Sequence, residues 1–227
     1  MDGPFRNNMA SEFSSLELEA SRQASARIGQ SAAVTAELAE VDAARAQEYA
    51  LISALLARAP DGELLHRLAQ LPGDTSPLGR AHADLAQAAG RSQAATVERE
   101  YFDLFVGLGR GELLPYASFY RTGFLHGNAL VRLRHDLAEL SLRRSPGIAE
   151  PEDHAAILCE LMSGLAGRQW PAPPEAEREL FEVHLAPWIG HFFADLERAK
   201  AAKFYRSVGA LGRAYIEIEA EAFTRPA

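Results

Sequence analysis

The chain has 227 residues, and its 23 basic and 31 acidic side chains give a net charge of −8 in which Lys200 and Lys203 are the only lysines, so a clustered positive surface for nucleic acid is not expected. Its one cysteine, Cys159, excludes an intramolecular disulfide and a cysteine-built zinc or iron–sulfur site, and fits a reducing compartment. With 48% hydrophobic and 24% charged residues, no apolar run of membrane-spanning length and no leader-like start, the expectation is a soluble, cytoplasmic globular protein without stable membrane insertion.

In chain order, residues 1–34 are rich in Ser, Ala and charge and poor in large apolar side chains. They read as a mobile or loosely helical extension to an all-helical domain over 35–227. Leu38, Val41, Tyr49, Ile52, Leu55 and Leu56 recur on one face of a helix that Pro60, Asp61 and Gly62 end. A short segment follows with Leu64, Leu65, Leu68 and Leu71, and Ser76-Pro77 opens the next helix with proline at its first position. Val97, Tyr101, Leu104 and Phe105 mark an amphipathic helix over Gln93 to Val106, stopped by Gly107. The stretch Gly107 to Gly111, with Pro115 beyond it, is too rich in helix breakers to continue.

Leu130, Leu133, Leu137 and Leu140 predict a further helix, closed by Ser145-Pro146-Gly147. Glu150-Pro151-Glu152-Asp153 reads as a helix start, with acids near the positive end of the dipole. The intervening Arg144 to Pro151 hinge would let the C-terminal helices exchange between two copies, so a monomer or a domain-swapped dimer is expected. After Pro171 to Pro174, a helix begins within Glu175 to Leu185. Trp188, Ile189, Phe192, Phe193 and Leu196 form an aromatic face, and Phe204, Val208, Leu211, Tyr215 and Ile218 place a final helix. No segment has the strand period, so the predicted fold is an all-α bundle of roughly eight or nine helices.

Three groups of residues depart from plain helical periodicity. Tyr101-Phe102-Asp103-Leu104-Phe105 leads through a glycine-rich loop into Pro115-Tyr116-Ala117-Ser118-Phe119-Tyr120. Such aromatics either line a groove for an apolar partner segment or form core beneath a loop. Glu150-Pro151-Glu152-Asp153-His154 joins carboxylates and an imidazole at a helix start, which either binds a charged group or only caps the helix. Asp153 and His154 are adjacent and point to different sides of a helix, so the spacing is not that of a metal site, and no metal is expected. His184 and His191, seven apart, have no carboxylate beside them in the sequence and read as structural. Cys159 lies in an apolar helical run where a buried, inert thiol is expected. The Gly107-x-Gly109-x-Gly111 loop lacks the strand and the Gly-Lys-Ser/Thr of a phosphate loop.

The ordered series Tyr101-Phe-Asp-Leu-Phe-Val-Gly, Pro115-Tyr-Ala-Ser-Phe-Tyr, Glu150-Pro-Glu-Asp-His154 and His184-Leu-Ala-Pro-Trp188, ending in a Phe204-Tyr205 helix, resembles the TorD/DmsD family of molybdoenzyme maturation chaperones. The likeness covers residues from about 40 to 223. It implies an all-helical protein without turnover and without a cofactor of its own. Such a protein holds the apo catalytic subunit of a bis-molybdopterin oxidoreductase until its cofactor is inserted, and binds the twin-arginine signal peptide where that client is exported. Thr122 to Arg144, with Gly123-Phe124-Leu125-His126, resembles members associated with formate dehydrogenases. By motif, the resemblance puts peptide and client binding on Tyr101, Leu104, Phe105, Pro115, Tyr116, Gly127, Asp153 and His154. Tyr101 and Tyr116 stand where some members have tryptophan.

A receptor for two arginines followed by an apolar run needs carboxylates beside an apolar groove, and a net charge of −8 favours the approach of a basic peptide. Two other functions are compatible with the same residues. One is a small helical hydrolase or metal-dependent enzyme using Asp153, His154 and Glu160; the other is a helical scaffold whose aromatic loop is only core.

Overall fold

The computed structural model describes residues 35–143 and 150–224; the proposed 1–34 extension and the Ser145-Pro146-Gly147 stop lie outside them. Among the described residues the protein is all-helical, in nine continuous rods. They are α1 (35–57), α2 (Gly62–Leu68), α3 (Pro77–Gly90), α4 (Ala94–Tyr101), α5 (Ala117–Thr122), α6 (Asn128–Glu139), α7 (Ala155–Ala166), α8 with α9 (Ala176–Glu179 and Ala186–Arg198) and α10 (Phe204–Thr224). Two of the rods contain wider π-helical turns: α4 continues through Phe102–Val106, and Leu180–Leu185 joins α8 to α9. By contacts the chain divides into a unit from Met1 to Ala44 and one from Arg45 to Ala227.

Local chemistry sets the ends of these helices. Asp61 accepts from Leu64 N at 2.8 Å to cap α2, and Ser76 accepts from Gly79 N at 2.9 Å to cap α3, with Pro77 at its first position. The C-terminal helix, α10, packs against α9, α3 and α4. Its close approach to α9 depends on glycine, because a Cβ on Gly212 would lie 2.3 Å from the ring of Phe193. Trp188, Phe192, Phe193, Tyr205 and Leu211 are all buried at this junction, and burial of each large side chain contributes on the order of 1.5–3 kcal/mol.

The start of α10 is held from another segment. Glu100, at the end of α4 and buried, accepts from the backbone N–H groups of Lys203, Phe204 and Tyr205 at 2.7, 3.1 and 2.7 Å. Glu112, in the irregular loop after α4, accepts from Lys200 and Ala201 at 2.7 and 3.0 Å. The turn between α9 and α10 is therefore capped by two carboxylates that are 88 to 105 residues away in sequence.

Four details differ from the sequence expectation. Leu38 and Val41 are exposed, and the buried stripe of α1 begins at Ala46 and Tyr49; a periodic pattern marks a face, not the length over which that face is covered. Helix α6 ends at Glu139, ahead of the Ser-Pro-Gly stop, with Ser141 in the left-handed region at φ 58°. Helix α7 starts at Ala155, after the acids of Glu150 to Asp153, because the Asp153 carbonyl accepts from Ala117 N and the Ala155 N–H donates to Pro115 O, which keeps His154 extended between them. Ile218 is 42% exposed while Ile216 and Glu219 are buried: alternating steps of 4 and 3 average 3.5 residues, and a straight helix of 3.6 drifts off that line.

Candidate functional site

The residues singled out from the sequence gather where the start of α5 meets the start of α7. Pro115 O accepts from Ala155 N at 2.8 Å, and Asp153 O accepts from Ala117 N at 3.0 Å. Tyr116 and His154 thereby face each other as an isolated antiparallel β-bridge. This pairing keeps His154 extended (φ −67°, ψ 139°), and its Nδ1 accepts from Ala156 N at 3.1 Å, so the imidazole itself is the N-cap of α7. The cap needs a neutral ring. Burial holds His154 below the usual histidine range, against the pull of Glu150 and Asp153.

Asp153 is 1% exposed. Its Oδ2 accepts from Ser118 N at 2.9 Å, and its Oδ1 is buried with no hydrogen-bond partner among the described residues. Ser118 carries the linkage onward, since its Oγ accepts from His126 N at 3.2 Å. The next residue, Gly127, lies at φ 129°, ψ −166°, a conformation open essentially to glycine alone, and is exposed at the head of α6. Asp153 and Gly127 thus belong to one network through Ser118, a residue to which the sequence reading gave no role. Its signal is faint: one hydroxyl within Pro115-Tyr-Ala-Ser-Phe-Tyr.

Tyr116 is half-buried, its ring edge-on to His154 with centroids 5.1 Å apart. Its phenol donates a short hydrogen bond to Glu150, and burial followed by that carboxylate holds the phenol well above its ordinary pKa. Glu150 is exposed, and its charge also raises Tyr101 after burial, the larger cause. The Tyr101 hydroxyl donates to the carbonyls of Leu56 and Ala57, at 3.2 and 3.1 Å, where α1 ends. The ring packs on Phe105 and Tyr205 at 5.1 and 5.8 Å, and Phe105 continues to Phe192 at 6.4 Å.

The predicted residues fall into two kinds. Tyr101, Phe105 and Tyr116 are partly accessible and Gly127 is exposed; Leu104, Pro115, Asp153 and His154 are buried. The solvent-facing carboxylate is Glu150, with Glu152 beside it in an ion pair to Arg134 at 2.8 Å. Phe124 and Leu125, 77% and 43% exposed, add an apolar edge on the loop that ends at Gly127.

The other candidates resolve differently. Glu160 is exposed on α7, six residues and so about one and two-thirds turns beyond His154, while Asp153 and His154 are buried and used in backbone bonds; the three do not share an open site. His184 is buried and structural, but it has a carboxylate after all: Asp136 of α6, at 2.7 Å from its Nε2. His191 is exposed on α9, whereas His184 is buried. Burial pushes the Cys159 thiol up to about 12. Among the described residues no helix is long and apolar enough to cross a membrane.

Comparison with known proteins bears on the family of the chain. The sequence profile of the nitrate reductase delta subunit family matches residues 71–194. The chain is 26% identical over 209 residues to the chaperone protein TorD of Shewanella pealeana, covering 82% of this chain and 93% of that protein. It is 28% identical to TorD of Vibrio cholerae over 63% of this chain and 72% of the relative. It is 27% identical to the Tat proofreading chaperone DmsD of Haemophilus influenzae over 54% and 58%. A crystal structure of a redox enzyme maturation protein from Archaeoglobus fulgidus superposes with a TM-score of 0.48 at 18% identity, covering 78% of this chain and 93% of that one. The TorD and DmsD relatives are named as chaperones, not as enzymes. The chain belongs to this family, that of the TorD/DmsD-type chaperones of redox-enzyme maturation.

Proposed function

We propose that this family member acts in the cytoplasm on the apo catalytic subunit of a bis-molybdopterin oxidoreductase, a formate dehydrogenase by the character of its Thr122 to Arg144 stretch. It binds that subunit's twin-arginine signal peptide where the client is exported, and assists cofactor insertion. The observation that carries this reading is the cluster of Tyr116, Glu150 and His154. A half-buried aromatic ring stands beside an exposed carboxylate, on two helix starts that are cross-braced by backbone hydrogen bonds.

The division of labour follows from burial. Tyr101, Phe105 and Tyr116 supply apolar surface for the hydrophobic run of the peptide, with Phe124 and Leu125 at its edge. Glu150 meets a guanidinium, for which a carboxylate is the strong partner. Leu104, Pro115, Asp153 and His154 hold this surface in shape from beneath, and Gly127 lets the α5–α6 loop turn into α6.

Two measurements test the proposal. Calorimetric titration with a twin-arginine signal peptide, and with its arginines replaced by glutamine, should show tight binding only of the former; equal binding would remove the acidic half of the site. Purification of the tagged chain from its host should co-isolate a molybdenum-dependent catalytic subunit, and recovery of a formate dehydrogenase in particular would identify the client.

A further inference from the structure

The only two lysines of this acidic chain, Lys200 and Lys203, stand on the same short turn between α9 and α10. Both are exposed, and neither ammonium has an ion-pair partner among the described residues. Their turn borders two adjoining depressions of about 540 and 380 Å³ that share Thr96, Glu100 and Lys203. Arg99 and Lys200 line the first, Arg91 lines the second, and Lys203 reaches both. Four cations therefore face two carboxylates, Glu100 and Asp103, on a protein whose net charge is −8. Glu100 is already saturated by three backbone N–H groups, and Arg99 meets Asp103 only loosely, at 3.7 Å.

From this charge inversion we infer that the groove between α4 and the α9–α10 turn is a second docking surface, which takes an acidic segment of a protein partner. Arg99, Lys200 and Lys203 line the larger depression and Arg91 carries the positive edge on along the second, an elongated surface that suits carboxylates spaced along an extended chain better than a compact polyphosphate. The one aromatic residue lining the groove, Phe204, is 2% exposed and offers no face on which a nucleobase can stack. Glu100 and Asp103 would further repel a dense cluster of phosphates. A surface of this sign is complementary to acidic sequence and of opposite sign to the exposed Glu150 site, so the two surfaces take segments of opposite charge.

The test is fluorescence anisotropy with a labelled peptide of about twelve residues alternating Glu and Ala, at about 50 mM salt where surface charge is weakly screened. The wild-type chain should bind it at least about tenfold more tightly than the Gln–Ala peptide of equal length. The double variant Lys200→Glu/Lys203→Glu should lose that preference with its melting temperature unchanged, and Arg99→Gln should weaken it partially. Equal affinity for the two peptides, retained binding in the double variant, or displacement by inorganic triphosphate at concentrations below the peptide's Kd would overturn the inference. Binding of a twin-arginine peptide, measured in parallel, should be unaffected by the double variant. Failure of the acidic peptide alone therefore rejects this surface without touching the proposed chaperone site.

Discussion

Glu100 and Asp153 both reach from one segment to the backbone of another, yet they are satisfied to different degrees. Glu100 spends both oxygens on three N–H groups at the head of α10. Asp153 spends one oxygen on Ser118 N and keeps the other buried without a partner. A fully satisfied buried carboxylate is a fastening, since its desolvation cost is offset by charge-assisted bonds. A half-satisfied one is a cost that the fold carries, and native structures carry few of them away from functional places. The helical frame around α9 and α10 is built in the first manner, and the α5–α7 junction, where the candidate site lies, in the second.

The largest effect should come from breaking the fastening. Glu100→Ala leaves three N–H groups at the α10 start without their acceptor and should cost roughly 3–5 kcal/mol in urea denaturation, by analogy with removing one partner of a buried charged pair. A loss below about 1 kcal/mol would show that the α9–α10 turn is held by its apolar contacts instead. Next in size is Tyr116→Ala, which should weaken twin-arginine peptide binding by about 1–3 kcal/mol with little dependence on salt, since it removes a ring and not a charge. Glu150→Gln, in contrast, should have an effect that is largest at low ionic strength and shrinks as salt rises.

Asp153→Asn should be milder than Glu100→Ala, costing about 1–2 kcal/mol, because an amide oxygen still accepts from Ser118 N. Its influence on peptide affinity should be insensitive to salt, because the side chain is buried and acts through the shape of the junction. A strong salt dependence in this variant would instead place Asp153 in contact with the ligand.

The smallest expected effect is on pH dependence. Burial depresses His154 in the folded chain, so below its ordinary pKa, about 6.5, the unfolded chain binds more protons than the folded one. The stability due to the neutral ring is fully present above that value and is lost as pH falls through the depressed folded one. His154→Asn keeps a side-chain cap but does not titrate, so denaturation at pH 7.5 and 5.5 should show the wild type losing more stability than the variant on acidification. Parallel losses would mean that the ring's charge state does not matter to α7.

The sequence made the frame legible because the frame is written in local terms. Ser76-Pro77 and Asp61 start helices by side-chain capping, and the apolar rows of α9 and α10 repeat at helical spacing. The capping of α10 by Glu100 and Glu112 could not be read, because its partners are remote and a glutamate in an amphipathic helix ordinarily faces solvent. The same reason hid Asp136 beside His184. At the candidate site, residue identities were readable and their burial was not. Adjacent acids in Glu150 to Asp153 look alike in a sequence, and only the backbone pairing of Pro115 with Ala155 decides that Glu150 meets solvent while Asp153 turns inward.

The lone cysteine turns the stability of this fold into something that can be clocked. Cys159 is wholly enclosed in α7, and its thiol, pushed up to about 12, is almost never the reactive thiolate while the helix stays packed. A chromogenic disulfide reagent added to the native protein can therefore be consumed only through openings that bring α7 to solvent. At high reagent concentration the colour develops at the rate of opening itself, and at low concentration at a rate set by how often the open form is populated. One native side chain, with no engineered label, thus separates a variant that opens more often from one that merely closes more slowly.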